Sequence, residues 1–444
     1  MTPRYILPLF LMIQAASALY AQNKYDNTWV LGYTPNKPPI YGGTTIQFNG
    51  TRPPALSYFE IPFDFDGVAS ICDEAGNLLM YTNGCSIANR RHRIMENGEG
   101  LNVGGYQHWN GCQRGGYYIV NQGLLLLPWP GRKDQYLLFH LHMPADDNSF
   151  TLRLLYTEID MQGDGGLGVV KGKNVEAFRD TFTDQLTAVR HANGRDWWLV
   201  LPKWNAAAYY VFLLSPEGIS QPVLQWRQSR RHRNSGTGLQ AAFSPNGRWY
   251  LNNSFGDGLQ IFRFDRCSGQ LSEPVALIGW SPKERANSGA VGVAVSASSR
   301  FAYATVGGRN LYQFDLNADT IAQSKTLIDT FDRFGENGVP ITFYQMMPAP
   351  DGKIYMSASN GTRYMHVINS PNLAGRDCGF VQRGLTLKGL HAFAVPNFPH
   401  FRLYDVQGSP CDTLGINGPA PTDDTTTRPK RPVVVPCGAD ASLW

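Results

Sequence analysis

The chain is short of charge. Asp, Glu, Lys and Arg make up 17% of its 444 residues, and the formal net charge is +4. So small a balance, with no long basic run, gives no footprint for a nucleic-acid backbone. Nowhere do apolar residues keep helical spacing through three turns, which excludes a helical bundle. Past the N-terminus no apolar run reaches the roughly 18 residues that a membrane-spanning helix requires, so no transmembrane segment is expected. Seven cysteines are present, but there is no Cys-x-x-Cys and no nearby paired histidine, so no tight zinc pattern exists. Gly-x-Ser-x-Gly is missing, and Ser235-Gly236-Thr237-Gly238 lacks the strand-to-helix setting of a nucleophile elbow or a phosphate loop. No catalytic residue, metal or cofactor is assigned on these grounds.

What the chain does have is 46 glycines, 12% aromatics and a phrase that returns. Phe-Ser-Pro-Asn-Gly-Arg (243–248) is echoed by His-Ala-Asn-Gly-Arg-Asp (191–196), Val-Ser-Ala-Ser-Ser-Arg (295–300), Pro-Ala-Pro-Asp-Gly-Lys (348–353) and, more loosely, Asp-Glu-Ala-Gly-Asn (73–77). Each echo is a tight polar turn followed by an apolar-aromatic run such as Trp197-Trp198-Leu199-Val200, so each reads as a β-hairpin. A period of roughly 40 to 55 residues is the mark of a β-propeller. The fold expected is therefore all-β, a propeller of seven blades with six as the alternative. Closure is expected from strands near 29–33 pairing with the region 391–404.

At the N-terminus Arg4, an apolar stretch over 5–16 and the small residues Ala16, Ser17, Ala18 and Ala21 match a cleaved secretory signal over 1–21. The propeller is placed at 27–411. Residues 412–444 read as a Thr/Pro-rich linker or tail, because five prolines among threonines and basic residues leave too little apolar surface to offset ordering. A secreted or outer-surface location permits disulfides, and Cys378 with Cys411 is the pair expected, pinning the last blade to the departing chain.

Placing each echo between the first and second strands of a blade puts all short turns on one face. The long connections, at 101–116, 171–184, 227–236, 279–289 and 331–339, then fall on the other. Long loops on a rigid frame tend to carry binding, and these hold Arg and aromatic anchors. The candidate contacts are Tyr106, His108, Trp109, Arg114, Arg230, Arg231, Arg233, Trp280, Lys283, Arg285 and Arg333, joined by Lys203, Trp204, Arg309 and Arg363 from the second-to-third-strand loops. The tetrads Arg-Arg-His-Arg at 90–93 and 230–233 read equally as solvated turns or anion contacts.

Gly67-Val68-Ala69-Ser70-Ile71, Asn77 to Gly84, Leu186 to Trp198, Phe264-Asp265-Arg266-Cys267-Ser268-Gly269 and Val395-Pro396-Asn397-Phe398 resemble stations of a secreted β-propeller family of gliding and related bacteria (Bacteroidota). In that family adhesion-like β-domains and a C-terminal type IX secretion sorting domain commonly follow, and residues 437–444 fall about where such a domain would begin. The resemblance implies export by that route and transfers no catalytic residue.

His140 and His142, two apart on one strand, could share a face as metal ligands do, against plain packing. The glycine-rich 160–168 segment lacks the alternating acids of a calcium loop and reads as a hairpin turn. The function expected is a non-enzymatic binding module for a protein or glycan at the cell surface. A propeller enzyme with carboxylates and histidines converging in the central funnel, and a structural spacer, are the alternatives.

Overall fold

The structure, a computed structural model, describes residues 23–35, 40–50, 52–65, 67–104, 112, 122–142, 151–227, 234, 239–286, 289–336 and 338–416. The expected signal segment and most of the expected tail lie outside these residues. Antiparallel meanders succeed one another along the chain. The first is β1 (Thr28–Leu31), β2 (Gly43–Asn49) and β3 (Arg52–Phe59). The second is β4 (Ala69–Cys72), β5 (Leu78–Thr82), β6 (Ser86–Asn89) and β7 (Ile94–Glu99). The third is β8 (Leu124–Pro128), β9 (Gln135–His142), β10 (Thr151–Asp160) and β11 (Val169–Thr181). The fourth is β12 (Thr187–Arg190), β13 (Trp197–Pro202), β14 (Ala208–Ser215), with the short β15 (Gly218–Ile219) and β16 (Val223–Trp226) both on β14. The fifth is β17 (Gln240–Phe243), β18 (Trp249–Ser254), β19 (Gly258–Asp265) and β20 (Gln270–Ile278). The sixth is β21 (Val291–Val295), β22 (Phe301–Val306), β23 (Asn310–Asp315) and β24 (Thr326–Thr330). A small hairpin, β25 (Gly335–Glu336) with β26 (Val339–Pro340), precedes the last meander, β27 (Met346–Pro348), β28 (Ile354–Met356), β29 (Thr362–Ile368) and β30 (Phe380–His391).

The first strands of these meanders form a ring. β1 lies against β4, β4 against β8, β12 against β17, β17 against β21 and β21 against β27, and a parallel bridge joins Gln122 to Gln185 where β8 and β12 begin. The ring closes where the Trp29 indole of β1 meets the Tyr355 ring of β28 edge-on at 5.7 Å. This is a β-propeller, and the grouping is consistent with seven blades. Inner strands such as β1 and β21 are buried at every position, whereas the outer β20 alternates buried and open residues, as expected when only one of its faces meets solvent.

The repeated phrase forms the first turn of its blade. The Asn or Asp before its glycine accepts from the turn's own backbone: Asn193 Oδ1 takes the amides of Arg195 and Asp196, Asn246 Oδ1 that of Arg248, and Asp351 Oδ1 that of Lys353. One connection differs from expectation: residues 171–181 belong to the outer strand β11 and not to a loop. A 3-10 turn, Ile321–Ser324, precedes β24.

Closure also differs. Among the described residues no strand ladder joins the N-terminal and C-terminal regions. β30 reaches the first blade through Leu390 N to Ile40 O and through the Lys388 and Gly389 amides on Thr44 Oγ1, and Ala392 N donates to Gly32 O. The chain then leaves sheet structure and runs inward. Asn397 Nδ2 donates to Leu124 O on β8 and to Leu186 O beside β12, and Phe398 packs on Trp29. Beyond it Phe401 packs on Trp197 and Tyr25, Arg266 donates to Tyr404 O, and Val406 N donates to Ala192 O on the turn face. Gly194 and Gly247, at φ +76° and +68°, make that docking possible. A Cβ on the first would meet Asp405 N at 3.0 Å, and on the second Arg266 Cδ at 2.5 Å and Leu403 at 2.8 Å.

The expected Cys378–Cys411 disulfide is not formed. The return segment delivers Cys411 to Cys267 on the β19–β20 turn, and Cys85 pairs with Cys112. Cys378 is a buried thiol packed with Tyr303, Ile328 and Phe380, and Cys72 is a second buried thiol.

Candidate functional site

The propeller axis is filled with amides. Gln122 Nε2 donates to Ala241 O while its Oε1 accepts from Ala241 N, so one side chain binds β17 from the start of the third blade. Gln240 does the same one step on, with Nε2 on Met346 O and Oε1 accepting from Val293 N and Met346 N. Asn397 sits in this hub, its Oδ1 3.3 Å from Gln122 Nε2. The void left among these residues, Phe398 and His400 is about 20 Å³, room for about one water molecule. Among the described residues lining this void there is no carboxylate, and its histidine, His400, is held by Phe243 O at 3.1 Å.

His140 and His142 also have structural partners. The fully buried His140 holds Asn102 Oδ1 at 2.8 Å and Thr157 Oγ1 at 3.1 Å, and His142 Nε2 lies 3.3 Å from Val103 O. Among the described residues no three His, Cys, Asp or Glu side chains gather as a metal would require.

A cleft of about 640 Å³ opens on the short-turn face, between the first turns of the second, third and fourth blades. The third blade supplies Trp129, Arg132, Lys133 and Asp134, the fourth Arg190 and Arg195, and the second Asp73 and Glu74; Tyr25 and Tyr136 complete the walls. Each charged wall has an internal order. Asp73 is engaged by the Ala75 and Asn77 amides of its own turn, and Glu74 accepts from the Tyr25 hydroxyl at 3.1 Å. The Arg132 guanidinium lies 3.6 Å over the Trp129 ring and donates to Pro216 O, so its position is set by packing as well as charge. Arg195 is paired with Asp196 at 2.7 Å.

Arg190 differs from the others. Only 7% exposed, it stacks 3.8 Å over Trp197 and donates Nη1 to Arg195 O and Nη2 to Phe401 O, both neutral carbonyls. Burial pulls its guanidinium down to about 10, which still leaves it charged at neutral pH. Its Nε, and the indole Nε1 of Trp129, are buried without an acceptor among the described residues.

Those of the residues expected to bind that the structure describes lie elsewhere. Tyr106, His108, Trp109, Arg114, Arg230, Arg231 and Arg233 fall outside the described residues. Trp280 is a core residue, 5% exposed, stacked on Tyr312 and bonded through Nε1 to Asn253 Oδ1 at 3.0 Å. Lys203 is held by Asp180 at 2.5 Å and by the Tyr210 hydroxyl, and Trp204, half-buried, follows it. Arg363 faces Glu336 at 3.4 Å; Arg285 and Arg309 are half-buried and Arg333 is exposed at φ +67°. None of these lines the cleft. Pro128 to Asp134 could have been singled out as the first turn that departs from the Asn-Gly phrase, replacing it with Trp, Arg and Lys. The special state of Arg190 has no sequence signal, because it depends on Phe401.

No protein-family model and no curated protein matches the sequence. Solved structures do resemble it at low identity. A functionally unknown protein from Desulfotomaculum acetoxidans is 11% identical over 84% of this chain and 99% of its own, with a TM-score of 0.37. Kluyveromyces lactis Hsv2 is 12% identical over 77% of this chain and 89% of its own, at 0.42. The β-propeller domain of Myceliophteria thermophila Cps50 (Swd1) is 11% identical over 75% and 93%, at 0.38.

Proposed function

We propose that the protein is a secreted or surface-held propeller that acts as a binding module for a protein or a glycan, without chemistry of its own. The observation that carries this reading is the cleft between three rigid turns, lined by aromatic and cationic side chains fixed by stacking and carbonyl contacts. An axis occupied by Gln122, Gln240 and Asn397 speaks against the funnel-enzyme alternative. Two disulfides suit an oxidising compartment, in keeping with the signal-like N-terminus. Export by the type IX route that the family resemblance implies belongs to the same proposal. So do the long connections, where Trp109, Arg231, Trp204 and Arg333 are proposed as a second contact surface.

The test is binding of the purified secreted chain to arrays of glycans and cell-surface proteins, beside two folded variants. Arg132→Ser with Lys133→Ser alters the cleft, and Trp109→Ala with Arg231→Ala alters the long connections. Binding lost in either variant assigns the face. A chain that binds nothing on either array overturns the module reading in favour of a spacer.

A further inference from the structure

The chain itself runs into the cleft that the three turns form. On the return segment Val406 N donates to Ala192 O and Cys411 is bonded to Cys267. Five residues later Ile416, 39% exposed and the last described residue, stands in the cleft wall. Whatever follows Ile416 therefore starts from the site. Residues 417–444 do follow it, all outside the described residues.

The cleft carries both signs of charge, on separate turns. Arg132 and Lys133, both exposed, are consecutive on the third-blade turn. Arg132 is already held by the Trp129 ring and Pro216 O, so pairing with it costs little further ordering. Glu74, the exposed carboxylate among the described wall residues, stands on the second-blade turn and accepts from the Tyr25 hydroxyl. The segment after Ile416 carries both signs too, in order: Asp423 and Asp424 first, then Arg428, Lys430 and Arg431.

Reach and tethering favour this segment over any free partner. The seven residues from Ile416 to Asp423 extend up to about 25 Å, enough to cross a cleft of about 640 Å³. Pro419 and Pro421 favour an extended backbone, which lowers the ordering that docking costs. The tether keeps the segment at an effective concentration on the order of millimolar, so a weak contact suffices. Asn23 lines the cleft as well, but the chain before it has no Asp or Glu and is the expected secretory signal.

We infer that residues 417–431 of the chain's own tail occupy the cleft, with Asp423 and Asp424 against Arg132 and Lys133 and the basic residues from Arg428 onward toward Glu74. A ligand for the cleft must then displace the tail, and the tail sets its apparent affinity. That regulatory step rests on the binding-module reading, whereas the docking does not.

The test is carbodiimide coupling of the full secreted chain, disulfides intact, read by peptide mass spectrometry. The reagent joins a lysine amine to a carboxylate in contact with it. A link from Lys133 to Asp423 or Asp424 within one chain is expected, at least about fivefold stronger in dilute buffer than in about 0.5 M NaCl, where screening acts over only a few ångströms. Arg132→Glu with Lys133→Glu should abolish it. Adding Asp423→Lys and Asp424→Lys to that variant should restore a link between the same two peptides, with amine and carboxylate exchanged. Lys133 coupled only to other carboxylates, or an exchanged variant that restores nothing, overturns the inference. A link that forms between labelled and unlabelled chains in a mixture overturns it in favour of a second copy's tail. Asp423→Asn with Asp424→Asn should tighten binding of an array ligand about tenfold, as expected when a competing state that held most of the population is removed. Coupling without that gain keeps the docking and overturns the regulation. Coupling in a chain that binds nothing on either array fails the module reading alone.

Discussion

Cys411 is bonded to Cys267, 144 residues earlier, with their Cα atoms 5.6 Å apart. The bond lies just beyond the point where the return segment has crossed the axis and docked on the turns at Gly194 and Gly247. It therefore locks covalently a closure for which the described residues provide no shared strand. A loop of that length contributes roughly 4–5 kcal/mol in the chain-entropy account, and less where the unfolded chain keeps structure. Cys411→Ser should lower thermal stability by several degrees and should do so in the same measure as Cys267→Ser. Non-reducing peptide mapping should recover Cys267–Cys411 and Cys85–Cys112. Cys72 and Cys378 should resist maleimide until the chain is unfolded, since both are buried and burial pushes the Cys72 thiol up to about 12. Recovery of a Cys378–Cys411 peptide would overturn this arrangement.

Gln122 stands for the amide hub. Its side chain satisfies both backbone groups of Ala241 and approaches Asn397. Gln122→Ala removes partners from a buried N–H and a buried C=O together, so a loss of about 2–4 kcal/mol is expected in denaturant unfolding. Gln122→Glu should be no milder, because a carboxylate cannot donate to Ala241 O and would be desolvated at the axis. A change below about 0.5 kcal/mol for Gln122→Ala would show that the hub does not hold the blades in register.

The blades were legible in the sequence because their turns are local. Asn193 and Asn246 cap amides within three residues of themselves, so the phrase carries its own geometry wherever it stands. The return segment was not legible, because Asn397 and Tyr404 are fixed by partners more than a hundred residues away. The same distance separates Cys411 from Cys267, and with three or more cysteines spacing does not determine which pair meets. The cleft had only an indirect trace, a Trp-Pro-Gly-Arg-Lys run where the repeat calls for a minimal turn. The rule that long loops bind drew attention to the opposite face, where Trp280 proved to be core.

Trp280 gives a direct contrast between core and contact. Its ring stacks on Tyr312 with Lys325 Nζ 4.9 Å from its centre, and its indole nitrogen satisfies Asn253, which in turn holds Gly292 O and Thr305 O. Trp280→Ala should cost about 3–5 kcal/mol of stability. Trp280→Phe, keeping the volume and losing the donor, should cost less, and neither change should alter ligand binding at temperatures where the chain is folded. A binding defect in a fully folded Trp280→Phe protein would return this residue to the contact surface.

Acid should unfold this propeller before its carboxylates titrate. Burial lowers His140 to about 3, and lowers His366 and His400 to about 4, from an ordinary value of 6.5. His140 is locked as the neutral form by its two partners: Asn102 Nδ2 is already spent on Gly84 O, so Asn102 Oδ1 accepts from His140 Nδ1–H. A folded value below the unfolded one means that the unfolded chain binds more protons between the two. Stability is then fully present above about pH 6.5 and falls as the pH drops from there toward 4. Each such histidine contributes a slope of up to about 1.4 kcal/mol per pH unit in that window. Urea midpoints measured at pH 7, 6 and 5 should therefore fall progressively. His400→Gln retains a donor for Phe243 O and cannot be protonated, so it should reduce the slope by about one proton. Midpoints that stay level from pH 7 to pH 5 would mean that these rings are not held neutral in the folded chain.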